Sequence, residues 1–215
     1  MTYLNYYDMQ KRVVVTGLGV VSPIGNSISE FISSLKQGKS GIKQLEELKN
    51  LGFACTVGGV PDINGKKYEE ILSAYQLEDA DLAIKYAVIA GLEAWSDSGL
   101  AIPDNLYGSS MDNYGTIIGT CSGGFEIFAR KVISMVNDGK VKRLGSRIIE
   151  NIMPSGPAAA ISNIFALSNI SYTNSSACST GSESIALSFE RIRSGNADII
   201  ITGGTDPYSP HVWAG

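Results

Sequence analysis

The stretch ISYTNSSACSTGS, residues 170–182, decides the fold of this chain. Its first four residues, from Ile170 to Thr173, predict a β-strand, and a short polar turn follows them. The small residues after Cys178 open a predicted helix, which Gly195 stops. The stretch is therefore a strand–turn–helix unit that carries a cysteine in the first turn of its helix.

Strands and helices alternate along the rest of the chain. Apolar runs that end at glycines predict strands over residues 13–15, 115–118 and 198–202. We expect the first of these strands to be buried. Helices are predicted over residues 27–37, 79–97, 125–136 and 154–165. Residues 50–76 show no clear periodic pattern of apolar residues, and we expect them to form loops with short helices or strands. The alternation predicts an α/β fold with a mixed, mostly parallel sheet covered by helices.

Composition excludes several classes of protein. The chain has 215 residues, a net charge of -4 and a pI near 5.1, so it lacks the electrostatic footprint of a protein that binds nucleic acid or anionic lipid. Its apolar runs are too short to span a bilayer and no signal peptide opens it, so we expect a cytoplasmic protein without a membrane partner. The single histidine, His211, rules out a His-rich metal site, and we predict no cofactor. The three cysteines form no CxxC pair and suit a reducing compartment.

Two glycine-rich stretches imitate nucleotide sites without meeting their requirements. Residues 17–22 (GLGVVS) follow a predicted strand, but Ser22 replaces the third glycine of a dinucleotide fingerprint and Pro23 delays the helix. Residues 38–40 (GKS) follow a helix instead of a strand, and Ser33 stands where a phosphate-binding loop has its first glycine. We therefore predict no cofactor at the first stretch and a helix stop at the second.

Cys178 is the candidate nucleophile. A cysteine in the first turn of a helix lies at the positive end of the helix dipole, beside unpaired backbone N–H groups, and both favour the thiolate. The same N–H groups can supply one arm of an oxyanion hole. An inert, buried cysteine is the competing interpretation, and the local pattern alone leaves the two open.

Six stretches in the same order resemble the β-ketoacyl-[acyl-carrier-protein] synthases of the thiolase superfamily. The resemblance centres on residues 177–181 (ACSTG), which follow a predicted strand, and on residues 197–206 (ADIIITGGTD). The remaining stretches are residues 12–25 (RVVVTGLGVVSPIG), 38–42 (GKSGI), 97–100 (DSGL) and 119–124 (GTCSGG). The resemblance begins at about Lys11 and continues to the last residue.

The resemblance implies a thiolase-like αβαβα sandwich built from two similar halves. Residues 11–215 correspond to the N-terminal half, residues 1–10 form a tail, and the sequence looks truncated before the C-terminal half. That half holds the two catalytic histidines, the buried lysine and the glycine-rich loop of the family. His211 matches none of these residues, so we expect it in a loop.

The resemblance also implies what the site does and what binds it. By this resemblance, Cys178 is the acyl-accepting nucleophile of a β-ketoacyl-[acyl-carrier-protein] synthase of fatty acid biosynthesis, and acyl carrier protein is its partner. Decarboxylation of malonyl carrier protein and the Claisen condensation need the absent histidines. Ser122 is expected to line the acyl pocket, and the strand from Ile170 to Thr173 is expected at a homodimer interface. Glu183 departs from many relatives, which carry histidine at that position.

Three alternatives stay open at this point. The chain could belong to a discrete polyketide or aryl-polyene condensing enzyme. It could be an inactive half-domain, whose uncovered face would expose apolar side chains. A hydrolase that uses Cys178 and His211 would need the two side chains within hydrogen-bond reach, which their places at opposite ends of neighbouring elements disfavour.

Overall fold

The computed structural model describes residues 11–102 and 111–214. Five strands occur in these residues: β1 (Ile42–Gln44), β2 (Val57–Gly59), β3 (Tyr114–Gly119), β4 (Ser171–Tyr172) and β5 (Ile199–Gly204). The first two form an antiparallel ribbon, and the other three form a parallel sheet in the order β4-β3-β5. The prediction of a mixed α/β fold with a mostly parallel sheet is therefore confirmed.

Ten α-helices accompany these strands in the described residues. The first five are α1 (Ile28–Lys36), α2 (Glu46–Asn50), α3 (Lys66–Ala74), α4 (Leu82–Asp97) and α5 (Phe125–Ile127). The last five are α6 (Ser134–Asn137), α7 (Ile148–Ile152), α8 (Gly156–Ile164), α9 (Thr180–Arg193) and α10 (Pro210–Trp213). None of the described helices is long and apolar enough to cross a membrane.

The parallel sheet is covered on both faces. Neighbouring residues of a strand point to opposite faces, and on β3 Ile118 packs with Ala87 of α4 and Ala158 of α8, whereas Gly119 lies against Thr180 of α9. The connection from β3 to β4 ends in α8, and α9 connects β4 to β5 across the opposite face. Because β3 lies between its two successors, the loops after all three strands meet at the carboxyl edge of the sheet.

The main core lies between α4 and α8. Trp95 stacks on the fully buried Phe165, with ring centroids 4.3 Å apart, and its indole N–H donates to the Ala101 carbonyl at 3.1 Å. Stacked aromatic pairs and a satisfied indole N–H stabilise a core beyond the burial of their area. Five aliphatic residues complete this cluster: Ile84, Val88, Ile161, Ile164 and Leu167.

The helix α9 packs on the sheet through small polar side chains. Thr180, Ser184 and Ser188 recur every four residues and are all buried, which allows a close approach to the strands. The approach is closest at Gly119, where an added Cβ would lie 2.2 Å from Thr180 Cγ2 and 2.9 Å from the Asn174 carbonyl oxygen. Glycine is therefore required at the end of β3 because a side chain would push α9 and the turn after β4 away.

The predicted buried strand at residues 13–15 is wrong. These residues form no strand in the structure, and Val14 and Val15 are 59% and 77% exposed. The backbone that follows lies along α4 instead, with the Leu18 and Val20 N–H groups donating to Asp97 and Glu93. A β-branched run favours extended backbone, but the described residues offer this segment no strand to pair with.

The other predicted elements differ from the structure mainly in their bounds. Ser27 caps α1 as predicted, by accepting a hydrogen bond from the Glu30 N–H at 3.3 Å. The predicted helix over residues 125–136 is interrupted by a π-helical segment, Phe128–Ile133, between α5 and α6. The region 50–76 contains a nine-residue helix, α3, in addition to loops and the short strand β2. His211 lies in α10 instead of a loop, so that expectation is also wrong.

Large apolar side chains remain exposed on several elements. On the outer face of α9, Ile185 and Phe189 are 54% and 41% exposed. The helical region after β3 also exposes Phe125, Phe128, Ile133, Val136, Ile149 and Met153. Exposed apolar area of this extent is unusual for a complete soluble domain.

Candidate active site

The candidate site is built by the three loops at the carboxyl edge of the parallel sheet. The loop after β3 and the turn after β4 are joined by the Thr120 N–H, which donates to the Asn174 carbonyl at 3.2 Å. The segment after β5 joins them through the Thr205 N–H, which donates to the Gly119 carbonyl at 3.0 Å. Ligands of open α/β sheets bind at this edge, where the strand order reverses.

Cys178 lies in the turn that enters α9. It is the middle residue of a single 3₁₀ turn, Ala177–Ser179, and it is exposed. The residue before it, Ala177, has a φ of 51°, a left-handed conformation that costs free energy for a residue with a Cβ. The turn therefore presents the thiol outward at the N-terminal end of a fourteen-residue helix.

The Ala177 carbonyl oxygen is held by two side chains. Thr180 Oγ1 donates to it at 2.7 Å, and Cys121 Sγ donates to it at 2.8 Å. Thr180 Oγ1 also accepts the Ser176 N–H at 2.8 Å and lies 3.3 Å from Cys121 Sγ. These contacts fix the peptide that precedes Cys178, because its carbonyl cannot rotate without losing both donors.

Asp206 holds the loop after β3 in place. Its Oδ1 accepts the Cys121 N–H at 2.8 Å and lies 3.2 Å from Thr120 Oγ1. The Ser122 N–H and hydroxyl donate to the same oxygen at 3.3 Å and 3.4 Å. A carboxylate that accepts several hydrogen bonds binds its donors more strongly than a neutral acceptor does. Asp206 thus positions both Cys121 and the buried Ser122 relative to the turn of Cys178.

Asn174 organises the other side of the turn. Its side-chain amide donates to the Thr180 carbonyl at 3.0 Å and to Glu183 Oε2 at 2.8 Å. Its Oδ1 accepts the buried Ser184 hydroxyl at 2.6 Å. Glu183 is therefore tied into the same network as the start of α9.

His211 belongs to a different network. Its Nδ1 lies 3.0 Å from Glu126 Oε2, which also accepts the Ser209 hydroxyl at 2.5 Å, while Glu126 Oε1 pairs with Arg130. Burial opposes ionisation of Glu126, but the hydrogen bonds from Ser209, His211 and Arg130 outweigh it and lower the pKa of this carboxyl. Among the hydrogen bonds of the described residues, none joins His211 to Cys178, which gives no support to a Cys/His hydrolase.

The structure thus places both predicted site residues, Cys178 and Ser122, on neighbouring loops, with several residues that the sequence did not single out. Ser122 follows Cys121, whose sulfur contacts the Ala177 carbonyl just before Cys178, whereas His211 contacts Glu126. No sequence pattern predicted a role for Cys121 or Asp206, although both lie in stretches that carry the resemblance. In the described ranges, no group of three His, Cys, Asp or Glu side chains could hold a metal ion.

Comparisons with known proteins agree on the family. A model of the family described as "Beta-ketoacyl synthase, N-terminal domain" matches residues 10–215. The 3-oxoacyl-[acyl-carrier-protein] synthase 1 of Buchnera aphidicola subsp. Acyrthosiphon pisum (strain APS) is 33% identical over 203 residues, which cover 93% of this chain and 48% of the relative. The enzyme of the same name from Escherichia coli (strain K12) is 32% identical over 196 residues, which cover 90% of this chain and 46% of the relative.

Solved structures show the same fold. A β-ketoacyl synthase from Burkholderia phymatum STM815 matches with a TM-score of 0.79 and 24% identity, over 95% of this chain and 49% of the other. An acyl-carrier protein–ketosynthase complex of a type II polyketide synthase, AntDE:AntF, matches with a TM-score of 0.73 and 23% identity, over 91% of this chain and 45% of the other. The expected thiolase-like fold is confirmed. The chain spans about half the length of the curated relatives it matches.

The clamp formed by Asp206 gives the first prediction. Replacing Asp206 with alanine removes the acceptor of the Cys121 and Ser122 N–H groups, so we expect faster hydrogen exchange at both amides and a loss of about 1 kcal/mol of stability. Asp206→Asn retains an oxygen acceptor and should keep most of the protection. The measurement is amide exchange by NMR together with urea denaturation. Equal exchange in Asp206→Ala and the unmodified chain would show that the carboxylate does not hold the loop.

Proposed function

Because this chain belongs to the β-ketoacyl synthase family, we propose that it is the acyl-accepting half of a 3-oxoacyl-[acyl-carrier-protein] synthase of fatty acid biosynthesis. Cys178 is the nucleophile in this proposal. The observation that carries it is the place of the exposed Cys178 thiol: in the turn between β4 and α9, at the carboxyl edge of the parallel sheet.

The proposed reaction of this half is transfer of an acyl group between two thiols. The Cys178 sulfur bonds to the carbonyl carbon of the acyl thioester, and the bond from that carbon to the carrier's sulfur breaks. The carrier leaves as a thiolate that takes up a proton. N–H groups at the start of α9 can supply part of the stabilisation of the oxyanion that forms at the acyl carbonyl.

Condensation is proposed to need residues beyond this chain. The family resemblance assigns the hydrogen bonds that stabilise the developing enolate to two histidines of the other half. This chain has a single histidine, and His211 is engaged with Glu126. We therefore expect the chain to take up an acyl group without completing the decarboxylative condensation on its own.

Acyl carrier protein is the proposed partner. The curated relatives act, by their names, on acyl groups borne by this carrier. The AntDE:AntF structure is a ketosynthase in complex with an acyl-carrier protein. The polyketide alternative is not favoured, because the structures that represent it are at most 24% identical to this chain and carry an argument about the fold alone. The cytoplasmic location stays a prediction from the sequence, with three free cysteines in its favour.

Acyl labelling of Cys178 tests the proposal. We expect incubation with an acyl carrier protein that bears a radiolabelled acyl group to label the chain, and Cys178→Ala to abolish the label. Cys55→Ser is the matched control, since Cys55 is also exposed but lies just before β2. Labelling that survives in Cys178→Ala, or that disappears in Cys55→Ser alone, would overturn the assignment of the nucleophile.

Ser122 is proposed to line the pocket for the acyl chain. Its side chain is buried, and it follows Cys121, whose sulfur contacts the residue before Cys178. A small side chain at this position leaves depth for a long acyl chain, and a phenyl ring would fill that depth.

The predicted effect of Ser122→Phe is a change in chain-length preference. We expect labelling of Cys178 by long acyl donors to fall relative to labelling by short ones, while Ser122→Ala keeps the original ratio. The measurement compares initial labelling rates with acyl carrier protein that bears each chain. An unchanged ratio in Ser122→Phe would remove Ser122 from the pocket.

We also propose a homodimer through the strand from Ile170 to Thr173. In the order β4-β3-β5, β4 is an edge strand, and its Tyr172 is 47% exposed. Edge strands present unpaired backbone groups that can pair with another chain. The family resemblance implies that the partner is a second copy of this chain, related to the first by a two-fold axis.

Sedimentation velocity at micromolar concentration tests the dimer. We expect a dimer for the unmodified chain and a shift toward monomer for Tyr172→Asp, which places a charge at the proposed interface. Val57→Asp is the control, because Val57 is similarly exposed, at 48%, but lies on the antiparallel ribbon. A monomeric chain, or equal effects of the two substitutions, would contradict the proposed interface.

A further inference from the structure

A second thiol contacts the peptide that precedes the nucleophile. Cys121 Sγ lies 2.8 Å from the Ala177 carbonyl oxygen, and that oxygen is about 3 Å from the Cys178 Cα across the trans peptide. Cys121 Sγ therefore lies within about 6 Å of the Cys178 Cα. Rotation about the Cα–Cβ bond of Cys178 can turn its sulfur toward Cys121 Sγ, and a small shift of the exposed loop after β3 then brings the two sulfurs to the ~2.05 Å of an S–S bond.

We propose that Cys121 and Cys178 form a reversible disulfide when the chain meets a peroxide, which makes the pair a redox-modification site. Both thiols are exposed, so the oxidant reaches them. The disulfide itself rests on the contacts of Cys121. Its consequence, the withdrawal of the thiol that accepts the acyl group, rests on the proposed function.

The contacts assign a role to each sulfur. Cys121 donates a hydrogen bond to the Ala177 carbonyl, so its sulfur is already engaged with the turn. Cys178 lies in the turn that precedes α9, and among the described residues its sulfur makes no hydrogen bond. Cys178 is therefore the sulfur that the peroxide oxidises first, and Cys121 is the resolving thiol.

The reaction balances with hydrogen peroxide as the oxidant. The Cys178 thiolate attacks one peroxide oxygen, the O–O bond breaks and hydroxide leaves, which gives a sulfenic acid on Cys178. The Cys121 sulfur then attacks the sulfenic sulfur, an S–S bond forms, and the S–O bond breaks with loss of water that carries away the Cys121 proton. Two electrons pass from the pair of sulfurs to the peroxide, and a thiol reductant reverses the step.

Peptide mapping of the whole chain after oxidation tests the disulfide. The reduced protein is treated with hydrogen peroxide, its remaining thiols are blocked with N-ethylmaleimide, and the chain is digested with trypsin. Cys121 and Cys178 fall in separate tryptic peptides, residues 86–130 and 148–191. We expect a linked pair that is lighter than the sum of the two by two hydrogen atoms and that separates on reduction. Cys55→Ser should give the same pair, and Cys121→Ser should give none.

Several results would overturn the proposal. They are a link that includes Cys55, a link between two copies of the chain, or Cys178 oxidised to sulfinic acid while Cys121 stays a free thiol. Acyl labelling is measured separately on the oxidised protein and again after re-reduction. We expect the labelling to be lost on oxidation and to return on reduction. A chain that forms the linked pair but never accepts an acyl group would refute the proposed function and leave the disulfide standing. A chain that is acylated but forms no linked pair would refute the disulfide alone.

Discussion

The contact between Gly119 and the start of α9 is the constraint on which the rest of the structure depends. With no side chain at the end of β3, the strand comes close enough to Asn174 and Thr180 for the three carboxyl-edge loops to meet. The Thr120 and Thr205 hydrogen bonds to Asn174 and Gly119 follow from that approach. The same contact that closes the sheet against its helix therefore assembles the candidate site.

Local patterns predicted the three strands of the parallel sheet. The predicted strands at residues 115–118 and 198–202 overlap β3 and β5, which share a six-residue parallel register. The helix predicted from Cys178 is α9, which begins two residues later, at Thr180. Residues 13–15 carry the same β-branched signal but form no strand. A strand is defined by its partner as well as by its own residues, and periodicity along one segment carries no information about that partner.

Within the candidate site, Cys178 could be predicted from the sequence, whereas the contacts that surround it could not. A cysteine between a strand and a helix is a pattern within a few residues, so Cys178 could be singled out. Asp206 contacts the Cys121 N–H across 85 positions of sequence, and Cys121 contacts Ala177 across 56. Both contacts depend on the order β4-β3-β5 and on the register of its strands, which no short motif specifies.

The geometry of the turn that presents Cys178 is therefore a tertiary property. Ala177 adopts a left-handed φ of 51°, which costs on the order of 1–2 kcal/mol for a residue with a Cβ. The hydrogen bond from Thr180, which lies next to the turn in sequence, offsets part of this cost. Cys121 offsets a further part, but it lies on the loop after β3. That loop is held in turn by Asp206, which follows β5. A peptide containing residues 170–193 would keep the first of these contacts and lose the others. Since the thiol is presented by a turn that neighbouring strands stabilise, its reactivity is coupled to the integrity of the whole parallel sheet.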